Sequence, residues 1–132
     1  MLIKTFASAV HGIDATTITI ETEISQGIKF FMVGLPDSAV KESQQRIESA
    51  MRLNGFKWPH KKVVINMAPA DIRKEGSSYD LPLAIGILAA NEQIKSDKIS
   101  SFLMACELHL VFCSHLSYLP DFISCPPVLL FL

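Results

Sequence analysis

The stretch Ala15-Thr16-Thr17-Ile18-Thr19-Ile20-Glu21-Thr22-Glu23-Ile24 sets the fold class. Ile18, Ile20 and Ile24 alternate with polar partners in a β-branched run, the pattern of a strand with one buried and one wet face. Upstream, Leu2 to Val10 supplies a partner strand, and His11-Gly12-Ile13-Asp14 between them has turn chemistry, so the two read as a hairpin. Downstream, Ser25-Gln26-Gly27 turns the chain into Ile28-Lys29-Phe30-Phe31-Met32-Val33, a third strand that stops at Gly34.

Gly34-Leu35-Pro36-Asp37-Ser38 then announces a helix, because Asp37 or Ser38 can accept from the free N–H groups of a first turn. Val40, Ile47, Ala50 and Met51 fall on one side at helical spacing, and Asn54-Gly55 ends the helix. After a loop containing Pro59, Lys62-Val63-Val64-Ile65-Asn66-Met67 reads as a buried strand. Leu81 to Ala90 is almost wholly apolar, so this second helix should be buried, with Asp80 as its cap and Pro82 in its first turn. Phe102-Leu103-Met104 has the character of one more strand. The expected class is α/β, a small mixed sheet with two helices packed against it.

At 132 residues and 49% apolar the chain is sized for one domain with its own core. Twelve Lys and Arg against thirteen Asp and Glu give a net charge of −1, so no global field recruits a polyanion and any nucleic-acid contact must come from a local patch. The N-terminus lacks the basic and apolar regions of a secretory signal, and Cys106, Cys113 and Cys125 have no disulfide-framework spacing. Both point to a cytoplasmic protein. No apolar run suits a membrane span, since the residues after Cys106 are broken by Glu107, His109, His115, Pro120, Asp121, Pro126 and Pro127.

Nucleotide hydrolysis on a P-loop needs the order G-x-x-x-x-G-K-[ST], and that string is absent. What remains as a place for chemistry is the long polar connection from Asn66 through Pro82, which joins a buried strand to a buried helix, where α/β folds place sites. Its plain reading is an ordered loop in which Asp71, Arg73, Lys74 and Glu75 are solvated and Ser77, Ser78 and Asp80 cap the next helix.

Three segments, Ser8-Ala9-Val10-His11-Gly12, Val33 through Ser43, and Asn66 through Pro82, resemble the N-terminal domain of magnesium-chelatase-like AAA+ proteins of the ComM/YifB type. The resemblance covers the chain from Met1 to about Ser100. It implies a fold like the second domain of ribosomal protein S-five, shared with the proteolytic domain of Lon. It implies that residues 1–104 form that domain in incomplete form and that 105–132 are a divergent tail, of the kind a frameshift or premature stop produces. In the family this domain precedes an ATP- and magnesium-using AAA+ module that assembles into hexameric rings, and ComM members drive DNA branch migration in natural transformation. No cofactor is expected in this chain itself.

On that footing the chain is expected to be a non-catalytic fragment, with Asp71, Arg73, Lys74 and Glu75 as a charged loop for contact with the neighbouring module or subunit. Two alternatives follow from the resemblance: a magnesium-chelatase-type subunit, and a Lon-like Ser/Lys protease, because Ser78 falls on or near the Lon nucleophile position. A serine needs a base, and this chain has no Lys or Arg after Lys98. Two further patterns come from the residues alone. Lys57-Trp58-Pro59-His60-Lys61-Lys62 interleaves basic residues with an aromatic, making Lys57, Lys61 and Lys62 candidate DNA contacts with Lys41, Arg46 and Arg52 nearby on the helix; the plain alternative is a solvated loop with Trp58 partly buried. Cys106, His109, Cys113, His115 and Cys125 contain soft metal ligands, but their spacings fit no four-ligand zinc pattern.

Overall fold

A computed structural model describes residues 1–95, 97–105 and 107–108. Strands β1 (Leu2–His11) and β2 (Asp14–Ser25) form the expected hairpin. β3 (Phe30–Val33) leads through α1 (Ser38–Leu53) to β4 (Lys62–Ala68), and α2 (Asp80–Ala90) follows the long loop. The sheet order is β1-β2-β4-β3, antiparallel except for the β3/β4 pair. Because β3 and β4 are parallel and joined by α1, their carboxyl ends lie together, and the segments leaving them, residues 34–37 and 69–79, become neighbours.

Period-two alternation sends one face of the sheet into the core. Thr5, Ala7 and Ala9 of β1, Ile18, Ile20, Thr22 and Ile24 of β2, and Val63, Ile65 and Met67 of β4 are buried. They form one cluster with Val40, Ile47, Ala50 and Met51 of α1 and nearly the whole of α2. The apolar stripe of α1 is thus the one its spacing gave, with Ser43 added: its hydroxyl is satisfied by donating to the Val40 carbonyl at 2.5 Å, so it enters the core without an orphaned group. Gly86 lets α2 lie against β2, since a Cβ there would sit 2.6 Å from Thr22 Oγ1. At the same contact Thr5 Oγ1 donates to the Pro82 carbonyl at 2.9 Å.

Several local expectations change. β3 begins at Phe30 rather than Ile28. The expected strand at Phe102 to Met104 is reduced to a single parallel bridge between Phe6 and Leu103, with Met104 N–H donating to the Phe6 carbonyl at 2.8 Å. Asp80 does not cap α2: it is the first helical residue, the cap position is Tyr79, and no side chain bonds there. Asp80 still suits the positive end of the helix dipole, but its carboxylate points to Arg46. Beyond residue 104, Leu108 is buried and its N–H donates to Asp80 Oδ2 at 3.2 Å. Cys106 and residues 109–132, which carry the Cys and His pattern of the tail, lie outside the described residues. No helix among the described residues is long and apolar enough to cross a membrane.

Candidate functional site

Gly34 is where the strand end becomes a site. Its φ of +104° and its approach to β4, where a Cβ would stand 2.1 Å from the Met67 carbonyl oxygen, leave room for no side chain. The turn that follows places Asp37 at the start of α1 with its backbone extended, and Asp37 Oδ1 accepts from Val40 N–H at 2.7 Å. The other carboxylate oxygen, Oδ2, accepts from Gly76 N–H at 3.2 Å. One side chain therefore caps a helix and clasps the loop after β4.

The clasp continues along the backbone. Lys74 N–H donates to the Leu35 carbonyl at 3.1 Å, and Asp37 N–H donates to the Lys74 carbonyl at 3.0 Å, giving a short parallel bridge between Pro36 and Lys74. The loop leaves β4 through a cis Ala68–Pro69 bond. The Lys74 side chain then turns inward and is fully buried, its ammonium donating to the Pro69 carbonyl. Burial pulls the Lys74 pKa down, and the Asp71 carboxylate pulls it part of the way back. Tyr79 is buried behind the loop; burial pushes its phenol up, and the charges of Asp37 and Glu75 add to that.

Asp80 is fully buried and is held by Arg46 of α1 in a two-toothed pair, Nε to Oδ2 at 2.7 Å and Nη2 to Oδ1 at 2.9 Å. Arg46 also donates to the Ala39 carbonyl at 2.9 Å. Its own pKa is raised, first by the hydrogen bond to Asp80. Ser77 Oγ donates to Glu107 Oε2 at 2.7 Å, tying the loop to the chain that follows.

The sequence-derived residues separate accordingly. Asp71, Arg73 and Glu75 are exposed, with Arg73 Nε 3.1 Å from Glu75 Oε1. Lys74 departs from the expectation of a solvated loop residue: with its ammonium enclosed it holds the loop from within and presents no charge to a partner. Ser78 is half-buried, and among the described residues nothing is hydrogen-bonded to its hydroxyl; the ammonium of Lys74, in the same loop, is spent on Pro69. Lys57 and Lys61 are exposed, and Lys62 lies over the Phe31 ring at 5.6 Å. Trp58 is half-buried, as its plain reading has it, against Phe30. These basic residues sit at the opposite end of β4 from residues 69–79, roughly 20 Å away at ~3.3 Å per residue, so the two sets do not form one surface. Arg46 and Arg52 do not extend the basic patch, because Arg46 is committed to Asp80 and Arg52 to Glu48.

Asp37, Arg46, Tyr79 and Asp80 are the residues that the sequence reading left without a joint role. A signal for Arg46 existed: it lies three residues after Ser43 and four before Ala50, beside the buried stripe. Its partner, thirty-four residues away, has no local signature.

Residues 20–112 match the family model described as subunit ChlI of Mg-chelatase. The chain belongs to that family. It is 47% identical over 103 residues to the YifB protein of Escherichia coli K12, covering 77% of this chain and 20% of YifB. It is 44% identical over 106 residues to the competence protein ComM of Haemophilus influenzae, covering 80% of this chain and 21% of ComM. A Mycobacterium tuberculosis relative is 34% identical over 108 residues. The chain thus spans about one fifth of the length of the curated relatives it matches and corresponds to their N-terminal part.

Proposed function

We propose that this chain is a non-catalytic N-terminal domain of a ComM/YifB-type ATPase, whose exposed loop of Asp71, Arg73 and Glu75 contacts the ATPase module or a neighbouring subunit of a ring. The observation that carries this reading is how the residues at the carboxyl ends of β3 and β4 are used. An anion site there would draw on the free N–H groups and dipoles of the helix starts. Asp37 instead occupies the α1 start, and the Asp80 carboxylate, neutralised by Arg46, lies in the first turn of α2. Of the two cations in this loop, Lys74 is turned inward and Arg73 is paired with Glu75. The chemistry at the switch point holds the loop in shape and leaves three charged side chains on the outside.

In this reading the four-stranded sheet with two helices is the incomplete form of the ribosomal S-five domain-2-like, or Lon-like, fold. The ATP and magnesium chemistry and the work on DNA, branch migration in the ComM case, belong to the rest of such a protein, in the cytoplasm. The exposed Lys57 and Lys61, with Lys62 beside them, are the residues from which a weak DNA contact would come. The Lon-like reading fares worse, since Ser78 has no base within reach of a hydrogen bond among the described residues.

The test is a chimera in which residues 1–104 replace the corresponding N-terminal segment of E. coli YifB. The purified 132-residue chain should neither hydrolyse ATP nor bind it, and the chimera should hydrolyse ATP at a rate within about twofold of YifB. ATP turnover by the isolated chain, or labelling by a serine-reactive probe that disappears in Ser78→Ala, would overturn the non-catalytic assignment.

A further inference from the structure

The two edges of the sheet are treated differently. The outer edge of β1 is met by the chain's own return, through the Phe6 to Leu103 bridge and the Met104 to Phe6 hydrogen bond. The outer edge of β3 has no partner among the described residues. Val63 N–H donates to the Lys29 carbonyl at 2.9 Å, which fixes the phase of the parallel ladder. Lys29, Phe31 and Val33 therefore turn their backbone groups toward β4, and Phe30 and Met32 turn theirs outward.

Edge strands are usually blunted by being very short or by a charge, a proline or a bulge; β3 is four residues long. Phe30-Phe31-Met32-Val33 carries no charge, proline or bulge. Along the same edge Ile28 is 88% exposed, Phe31 43%, Val33 49% and Leu35 56%, a continuous apolar border. At one end that border meets cations. Lys29 precedes the strand, and Lys62 lies over the Phe31 ring at 5.6 Å, while Trp58 packs tilted against Phe30 with ring centroids 6.0 Å apart. The carboxylates at the far end are already engaged, Asp37 with α1 and Gly76, and Glu75 with Arg73.

We propose that the free edge of β3 binds an extended, acidic segment of a partner protein by strand addition. Main-chain hydrogen bonds to Phe30 and Met32 supply the affinity, and alternate apolar side chains of the partner pack beside Phe31 and Val33 on the outer face. Its carboxylates meet Lys29 and Lys62, and the charge fixes which sequences are accepted. The lack of a basic or acidic residue inside β3 then has a function: a charge there would close the edge. A nucleic-acid strand stacking on Phe31 is the competing occupant of the same cations. The backbone requirement separates the two, because only a peptide can extend the ladder.

The experiment uses the 132-residue chain and four probes: a labelled hexapeptide alternating valine and glutamate, its valine-lysine counterpart, the valine-glutamate peptide with alternate amides N-methylated, and a 20-nucleotide oligothymidine. The valine-glutamate peptide should bind saturably, at least tenfold more tightly than the other three, and slow amide exchange at Phe30 and Met32. Lys29→Glu combined with Lys62→Glu should weaken it at least tenfold while leaving the far-ultraviolet circular dichroism unchanged. Equal binding of the N-methylated peptide, tighter binding of oligothymidine, or no saturation at millimolar peptide would overturn the proposal.

Discussion

Replacing Arg46 by leucine should be among the most damaging changes outside the apolar core. The Asp80 carboxylate is fully buried, and among the described residues two of its three hydrogen-bond donors are on Arg46, at 2.7 and 2.9 Å; the third is Leu108 N–H at 3.2 Å. Removing the guanidinium leaves a buried anion with one backbone donor, a situation that costs about 3–5 kcal/mol. The low end applies, because about a quarter of the Arg46 side chain is already in contact with water and solvent can follow it in. The lost bond to the Ala39 carbonyl adds about 1 kcal/mol. For a domain this size a loss of about 4 kcal/mol lowers the melting temperature by about 16 °C. The reverse deletion, Asp80→Ala, should cost less, since the partly exposed Arg46 can hydrate. The double variant Arg46→Leu/Asp80→Leu should recover much of the loss, because no charge is then stranded. Urea titrations of the four proteins in a double-mutant cycle measure this. A cost below about 1 kcal/mol for Arg46→Leu, or a double variant as unstable as the sum of the singles, would refute the reasoning.

Gly34→Ala should destabilise by at least about 3 kcal/mol, combining overpacking with backbone strain, because its Cβ would lie 2.1 Å from the Met67 carbonyl oxygen; near wild-type melting would show that β3 and β4 can separate there at little cost. Lys74→Met should leave stability at pH 7 within about 1 kcal/mol of the parent, since a buried cation is exchanged for an apolar chain of similar length. The lowered Lys74 pKa means the unfolded chain binds its proton more tightly, so the parent should gain stability as pH rises from 7 toward 10, and Lys74→Met should lack that gain in chemical denaturation. Above about pH 10 the raised Tyr79 phenol works in the opposite sense, because the unfolded chain ionises first. Glu21, whose pKa is lowered first by the Asn66 hydrogen bond and then by Lys4, contributes stability above its unfolded value of 4.5 that is lost as pH falls through the folded value. Asn66→Ala should flatten that acid limb.

Legibility in the sequence followed how local each signal was. The β2 alternation and the α1 stripe are period effects, and both elements begin and end within about two residues of their reading. Asp37 as a cap is a contact three residues long, and it was visible for the same reason. The reading placed Asp80 at the start of α2 but gave it the wrong bond, because capping is the common fate of an aspartate before an apolar run, and the competing arginine lies on another helix. Lys74 was misplaced for a related reason: lysines in polar loops are normally solvated, and nothing between Asp71 and Gly76 marks the one residue that turns inward to a carbonyl of its own loop. The pairing of β3 with β4 rather than β2 required the crossover through α1, which sequence proximity hides. The family, in contrast, was legible because three separate segments carry it.

The outward-facing loop of Asp71, Arg73 and Glu75 is the decisive place to perturb the domain. Asp71→Ala/Arg73→Ala/Glu75→Ala, introduced into the chimera of residues 1–104 with the remainder of YifB, should keep the folded circular dichroism of the parent. By analytical ultracentrifugation it should lose at least tenfold in the affinity with which ATP-bound subunits assemble. Rings that form at the parental concentration, with parental ATP turnover, would contradict the assignment of these three residues to module or subunit contact.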